Sequence, residues 1–140
     1  MPRRSRKSRS AALPETCPCG SGEAYAACCG PLHAGTARAA TAEALMRSRY
    51  SAFAVGDGAY LLRTWHPSTR PECLDLSADD RSWTGLEILE STGGSPLHTQ
   101  GTVHFRAHYI DAEGPGVQTE NSVFERVGPD WRYVDALGFS

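Results

Sequence analysis

The sequence has no long hydrophobic run and no internal repeat. A helix that spans a bilayer needs about 18 or more consecutive apolar residues, and no segment of the 140-residue chain approaches that length. The short apolar stretch Ala11–Leu13 is also far shorter than the core of a secretory signal peptide. Hydrophobic residues make up 40% of the chain and charged residues 21%, as in ordinary globular domains. We therefore expect a cytoplasmic protein without a membrane span.

Positive charge is concentrated at the N-terminus. Residues 1–10 hold five basic side chains, whereas the rest of the chain holds 9 basic and 16 acidic ones. A mobile basic tail can contact RNA, ribosomes or anionic lipid through salt-sensitive interactions. It can equally be a disordered terminus that keeps the protein in solution. Residues 1–15 are predicted to form such a disordered basic tail.

Helical and strand patterns occupy different halves of the remaining chain. Apolar residues recur at helical spacing over residues 36–65. Asp57, between two glycines, is predicted to interrupt this run and to cap a second helix at residues 59–65, while Thr36 or Thr41 can cap the first. Alternating patterns predict strands at residues 83–90, 99–110, 116–127 and 131–136. Helices followed by antiparallel strands indicate an α+β layer fold.

Four of the five cysteines lie within 13 residues of one another, and they are Cys17, Cys19, Cys28 and Cys29. Zinc prefers four soft ligands arranged as a tetrahedron, and two close cysteine pairs joined by a short loop supply such a set. Four thiolates fill the coordination shell, so the predicted metal is one structural zinc ion without an open position for water. Residues 16–35 have no core of their own, so zinc should drive their folding while the rest of the chain folds independently.

Other uses of these cysteines give different expectations. Disulfides fit poorly, because a cytoplasmic chain is kept reduced and adjacent cysteines bridge each other only with strain. A catalytic thiol or an iron–sulfur cluster stays open at this point. Cys73 lies apart from the cluster in a loop at residues 67–81, and we interpret it as an ordinary side chain.

The cysteine pattern resembles the SEC-C motif, which occurs at the C-terminus of the SecA translocation motor. The resemblance rests on the run Cys-Pro-Cys-Gly-Ser-Gly at residues 17–22, on Tyr25, and on Cys-Cys-Gly at residues 28–30. It implies that the four cysteines hold zinc and that the folded knuckle docks partner proteins or the ribosome. The loop at residues 23–27 is acidic to neutral here, unlike the basic knuckle of SecA, so the same partner is not implied.

The rest of the chain resembles a bacterial family of uncharacterised proteins known as YchJ. The matching segments are residues 44–53, 60–62, 64–71, 83–88 and 131–135. The resemblance implies a nuclear-transport-factor-2-like (NTF2-like) fold, in which helices pack on a curved antiparallel sheet to form a cone with a pocket. It divides the chain into the tail of residues 1–15, a zinc knuckle at 16–35 and an NTF2-like domain at 36–140. The family brings no established activity with it.

Side-chain alternation along the strands suggests which residues face the cone. Glu120 and Asp135 have the same parity as the aromatic residues predicted to lie on the concave side, and the helices would contribute Tyr50 and His66. A carboxylate beside histidine and tyrosine in apolar surroundings is an arrangement that general acid–base catalysis uses. These four residues are therefore the weak catalytic candidates.

The same side chains also have structural interpretations. Glu120 can pair with an arginine such as Arg49 or Arg70, and His66 can cap its helix or bond to the backbone. Nothing in the sequence forms a compact catalytic signature.

Three function hypotheses follow from these features. The first is a non-enzymatic adaptor, in which the knuckle docks a protein and the cone holds a ligand, a partner or a second copy of the chain. The second is a small isomerase, dehydratase or hydrolase that acts in the cone, which rests on analogy between folds alone. The third is association with RNA or the ribosome through the tail. The complete cysteine motif favours the first.

We expect natively purified protein to contain one zinc ion per chain, measured by elemental analysis. Cys17→Ser should lower the zinc content to less than half, because one of four ligands is lost. Cys73→Ser is the matched control and should leave the content unchanged. Recovery of iron with inorganic sulfide, or of no metal, would contradict the prediction.

Overall fold

The computed structural model describes residues 14–76 and 80–139. The predicted basic tail falls outside the described residues except for its last two positions. No helix in the described part of the chain is long and apolar enough to cross a membrane.

The described N-terminal half is helical. It contains a 3₁₀ turn at Tyr25–Ala27 and the helices α1 (Cys29–Ala34), α2 (Ala42–Val55) and α3 (Gly58–Arg63). The helical pattern of the sequence did not indicate α1, because six residues span less than two turns and give no readable periodicity.

The first predicted helix begins six residues later than expected. Residues 36–41 are not helical, and α2 begins at Ala42. Thr41 is extended, with φ −138° and ψ 162°, and its side chain accepts a hydrogen bond from the Ala44 amide. Thr36, the alternative cap, donates its hydroxyl to the Pro31 carbonyl instead. The start of the helix is therefore set by the Thr41 cap.

The break between α2 and α3 is where the sequence predicts it. Gly56 adopts a left-handed conformation, with φ 80°, and ends α2. The Asp57 side chain accepts a hydrogen bond from the Tyr60 amide at 3.0 Å and caps α3 as predicted. The helix ends at Arg63 rather than at Trp65, because Trp65 forms an isolated bridge with Tyr133 of the sheet.

Four antiparallel strands form the second half. They are β1 (Ser82–Gly93), β2 (Gln100–Asp111), β3 (Gly114–Val127) and β4 (Asp130–Phe139), and they lie side by side in chain order. All four predicted strands are present. β1, β3 and β4 extend beyond their predicted bounds, and β2 is displaced by one residue. The α+β class and the curved antiparallel sheet are confirmed.

The sheet bends where its strands lose register. Shifts occur between β1 and β2 near Gly85 and Ile88, and between β3 and β4 near Ser122 and Phe124. An extra residue on one strand bends that strand and increases its local twist. The sheet therefore curves and gives α2 a concave face to pack on.

The main core lies between α2 and the concave face of the sheet. α2 packs against β1, β2 and β4. Its buried side chains Leu45, Met46 and Tyr50 join Phe124 and Trp131 of the sheet in one hydrophobic cluster. A smaller cluster with Ala52, Tyr60 and Leu61 joins α2 to α3. Burial of this apolar surface is the main force that holds the helices on the sheet.

Replacing the cap of α2 tests this assignment. Thr41→Ala removes the acceptor for the Ala44 amide and should lower the free energy of unfolding by about 1 kcal/mol. Thr36→Ala, at the alternative position, should cost less than half that amount. The measurement is denaturant unfolding followed by circular dichroism, and equal losses in the two variants would contradict the assignment.

Candidate metal centre

The first cysteine pair lies in a loop that the backbone closes on itself. The Cys17 amide donates to the Glu23 carbonyl at 2.9 Å, and the Tyr25 amide donates to the Glu15 carbonyl at 2.8 Å. The loop can turn back this tightly because Gly20 and Gly22 have φ values of 83° and 85°. These bonds direct Cys17 and Cys19 toward the start of α1.

The second cysteine pair begins α1. The Cys28 amide donates to the Tyr25 carbonyl at 3.1 Å, which ends the 3₁₀ turn. Gly30 follows the pair, and a Cβ atom at this position would lie 2.7 Å from the same carbonyl oxygen. Only glycine therefore allows the first turn of α1 to approach Tyr25 closely enough to face the loop.

The four sulfur atoms converge at one point. The Sγ atoms of Cys17, Cys19, Cys28 and Cys29 all lie within 4.8 Å of one another. The Cys19 and Cys28 sulfurs are 3.6 Å apart. Tetrahedral zinc with bonds of about 2.3 Å places its sulfur ligands about 3.8 Å apart. The donor set therefore fits a zinc ion in type, number and spacing.

All four cysteines are free thiols rather than disulfides. Cys17, Cys19 and Cys29 are buried, and Cys28 is half-buried. The hydrogen bond between Cys19 and Cys29 lowers the pKa of Cys19 to about 4 and raises that of Cys29. Burial raises the pKa of Cys28. Four sulfurs this close together, three of them buried, cannot all be thiolates without a nearby positive charge, so a cation would displace protons from this cluster.

The knuckle docks on the middle of α2. The Cys17 sulfur lies 3.5 Å from the Ser51 hydroxyl, and Arg47 donates to the Cys19 carbonyl at 2.8 Å. Residues 36–41 form a non-helical linker between α1 and α2, so the knuckle contacts α2 well after the start of that helix and meets the Ser51 hydroxyl there.

A buried histidine that the sequence analysis did not identify links the knuckle to the cone. His33 Nε2 lies 2.8 Å from the Ser48 carbonyl of α2, and its Nδ1 lies 2.6 Å from the Tyr25 hydroxyl. Since a carbonyl only accepts, Nε2 carries the proton, and Nδ1 of the neutral ring accepts from Tyr25. The sequence does contain a signal for this role of His33. His33 follows Cys29 by four residues and so lies on the same face of α1 as that cysteine.

The network continues from α2 into α3. Ser48 donates its hydroxyl proton to the Leu45 carbonyl, so Tyr60 donates to the Ser48 oxygen at 2.7 Å. The His33 and Tyr60 rings also contact each other, with centroids 4.6 Å apart. The knuckle, α2 and α3 therefore share one buried polar cluster.

Two of the four catalytic candidates lie together in the cone. Tyr50 and Glu120 both line a cavity of about 140 Å³ between α2 and the sheet. Burial raises the pKa of Tyr50 to about 12. Glu120 accepts hydrogen bonds from Gln118, Ser122 and Tyr133 at 3.2, 3.0 and 3.3 Å. Three neutral donors thus hold the carboxylate in place.

The expected pairing of Glu120 with Arg49 or Arg70 is wrong. Arg49 donates to the Leu61 carbonyl and the Thr64 hydroxyl, and its guanidinium lies 4.6 Å from the centre of the Tyr133 ring. Its burial lowers its pKa to about 10. Arg70 donates to the backbone carbonyl of Trp65. Both arginines are held by neutral groups, and the Glu120 charge reaches Arg49 only as a weaker attraction that opposes the effect of burial on its pKa.

The other two candidates, His66 and Asp135, lie away from this cavity. His66 Nε2 contacts a Glu125 carboxylate oxygen at 3.1 Å, and its Nδ1 accepts from the Ser68 amide. Of the two structural interpretations of His66, the bond to the backbone is present, and it is made to the loop that follows rather than to a helix end. The triad of carboxylate, histidine and tyrosine is not assembled.

A bulge explains why Asp135 leaves the concave face. Phe124 pairs with Tyr133, but the next residue back on β3, Val123, pairs with Asp135. The extra residue, Val134, shifts the alternation by one position, so Asp135 turns to the opposite face and is exposed. Strict alternation along the sequence cannot reveal such a shift.

Comparison with known proteins matches both parts of the chain. A family model described as the YchJ middle NTF2-like domain matches residues 41–136, and a SEC-C motif model matches residues 14–31. A UPF0225 protein from Streptomyces coelicolor is 60% identical over 119 residues, which is 85% of this chain and 92% of that protein. A UPF0225 protein from Corynebacterium glutamicum is 50% identical over 119 residues, which is 84% of this chain and 92% of that protein.

Two solved structures share the fold. A SEC-C motif-containing protein from Rhodopseudomonas palustris is 33% identical with a TM-score of 0.78, over 89% of this chain and 99% of that one. A SEC-C motif-containing protein from Psychrobacter arcticus is 29% identical with a TM-score of 0.72, over 90% of this chain and 83% of that one. The arrangement of a cysteine motif beside an α+β domain thus recurs in experimental structures.

Removal of metal should affect both parts of the protein. A strong chelator should unfold residues 16–35, because their fold depends on the cluster. The cone should stay folded but unfold at a lower temperature, because the contacts of His33 and Cys17 with α2 are lost.

Amide hydrogen exchange and thermal unfolding before and after chelation measure the two effects. Replacing zinc after chelation is the control and should restore both. Loss of protection in the knuckle without any change in the unfolding temperature of the cone would contradict the coupling.

Proposed function

The chain belongs to the YchJ family, in which a SEC-C motif accompanies an NTF2-like domain, and on this basis we propose that it is a zinc-binding adaptor protein. In this proposal the zinc is structural and the knuckle of residues 16–35 docks a protein partner. The NTF2-like domain supports the knuckle.

The convergence of four cysteine sulfurs within 4.8 Å supports this proposal most directly. Four thiolate ligands complete the shell of a zinc ion, so no position remains at which a metal-bound water could act on a substrate. The role of the metal would then be to hold the knuckle in shape. A metal used in this way is typical of small interaction modules, which have too little apolar surface to fold alone.

The outer surface of the knuckle is suited to contact with a protein. We use the name ridge for its exposed residues 20–24 and 26–27, among which Glu23 is the one charged side chain. Exposed alanines follow on the 3₁₀ turn at Ala26 and Ala27. Small, nearly uncharged side chains let a partner backbone approach closely and cost little desolvation. A basic nucleic-acid-binding surface would need arginine or lysine here.

The cone favours a supporting role over catalysis. Its cavity of about 140 Å³ is smaller than the roughly 300 Å³ at which ligand pockets generally begin. The carboxylate in it already receives three hydrogen bonds, and His66 lies outside it. A general base must be within reach of the proton that it removes from a substrate. The Glu120 carboxylate is instead occupied by neutral donors of the protein itself.

Affinity capture with surface variants tests the docking role. Ala26→Arg combined with Ala27→Arg places two charges on the ridge without touching a sulfur ligand. Specific partners of the wild-type protein should be recovered at least ten-fold less well, while zinc content and unfolding temperature stay the same. Ala54→Arg combined with Ala59→Arg, at exposed helical alanines of the cone, is the matched control.

Unchanged capture of partners by the variants would contradict the adaptor role. If the ridge variant and the Cys28→Ser variant both recover the same partners as wild type, the knuckle does not dock them. Quantitative mass spectrometry of the captured proteins gives the comparison.

A further inference from the structure

A second cavity is lined by none of the residues that line the cone cavity. It has a volume of about 310 Å³ and is bounded by α1, residues 35–39, α3 and the start of β4. It is more than twice the size of the cone cavity and lies within the size range of small-molecule sites. We call it the arginine groove, for the four arginines that line it, Arg38, Arg63, Arg70 and Arg132.

The groove carries excess positive charge. Four guanidinium groups line it, and among the described lining residues Asp130 provides the one carboxylate. Asp130 is shared, because its oxygens lie 3.1 Å from Arg38 and 3.6 Å from Arg132. The lining therefore retains about three positive charges on a chain whose net charge is −2. Concentrated charge of one sign in a concave surface attracts ligands of the opposite sign.

Backbone carbonyls, rather than carboxylates, hold the other two arginines. Arg63 donates to the carbonyls of Leu32 and His33, at 3.1 and 2.8 Å. Arg70 donates twice to the Trp65 carbonyl, at 3.2 and 2.9 Å. A carbonyl dipole orients a guanidinium without neutralising it. The two exposed side chains are thus oriented by the backbone before any ligand arrives, which lowers the entropy cost of binding.

The groove also has an apolar floor. Leu45, Tyr60 and Trp131 line it from the core side, and all three are otherwise buried. Arg132 also donates to the Arg63 carbonyl, which joins the sheet side of the groove to α3. The groove thus combines four cationic side chains with aromatic and aliphatic side chains beneath them, and the Arg63 guanidinium lies over the Tyr60 ring at 4.7 Å from its centre.

We propose that the arginine groove binds a compact organic phosphate. Guanidinium groups recognise phosphate oxygens through paired, charge-assisted hydrogen bonds, and a doubly charged phosphate matches the local excess of positive charge. The apolar floor would receive the organic part of the ligand. The volume admits a molecule of about mononucleotide size rather than a polymer. This inference does not rest on the zinc-dependent docking of the knuckle.

Titrations of the full-length zinc-loaded protein with AMP and with inorganic phosphate test the proposal. They are followed by two-dimensional NMR at constant ionic strength. AMP should give saturable shifts at the amides of Arg38, Arg63 and Asp130, and it should bind at least five-fold more tightly than inorganic phosphate. Arg38→Gln combined with Arg70→Gln should weaken AMP binding at least ten-fold, because two of the four cations are removed.

Two further variants complete the test. One is expected to tighten AMP binding and the other to leave it unchanged. Asp130→Asn removes the competing carboxylate and should tighten AMP binding several-fold. Arg106→Gln is the matched control, because Arg106 lies on β2 beside Glu87 and outside the groove. It should bind AMP as the wild type does. Unfolding curves and zinc content should be unchanged in all of these variants.

Several results would overturn the proposal. AMP shifts that do not saturate, or that persist in the double arginine variant, would exclude the groove as the site. AMP binding no tighter than inorganic phosphate would exclude an organic phosphate as its ligand. Tight binding of a short single-stranded RNA without saturable AMP binding would show that the surface recognises a polymer. Loss of docking by the ridge variant, by contrast, bears on the adaptor role alone.

Discussion

Four closely spaced sulfur atoms, three of them buried, are the constraint on which the N-terminal part of this protein depends. The sulfurs lie within 4.8 Å of one another, at a distance where four thiolates would repel strongly in the absence of a cation. The loop between the two cysteine pairs and the glycine after the second pair are shaped to bring the sulfurs together. Every other feature of the knuckle, including its exposed ridge, follows from that convergence. The surface proposed to meet a partner therefore exists only while the cluster is satisfied.

The knuckle packs against the helices of the NTF2-like domain and is not joined to that domain by a linker alone. His33 connects Tyr25 of the knuckle to the Ser48 carbonyl of α2, and Tyr60 of α3 reaches the Ser48 hydroxyl. Buried polar networks of this kind are stable only when each member is satisfied, so the metal cluster and the helical layer support each other. Arg63 reinforces the junction by donating to the last carbonyls of α1. The arginine groove lies at this same junction, where a bound anion would contact both parts.

Much of the fold was predictable from local pattern. Four strands, the α+β class and the Asp57 cap follow from alternation and from turn chemistry, because these depend on near neighbours in the chain. The late start of α2 was not predictable, since Thr36 and Thr41 are equally good caps by sequence. The cone site was predicted less well. Glu120 and Tyr50 do meet in one cavity, but a bulge moves Asp135 away and a contact with Glu125 holds His66 elsewhere.

The sequence by itself determined the cluster of four cysteines that could hold a metal ion, the family and the class of fold. Cysteine type and spacing define a ligand set because the chain between two close pairs is too short to place them far apart. Only the tertiary structure decided where the knuckle rests and which charges meet. The arginines of the groove come from positions 38 to 132, and no local pattern relates them. Their meeting depends on the packing of α1, α3 and the start of β4, because long-range contacts are set by the fold as a whole.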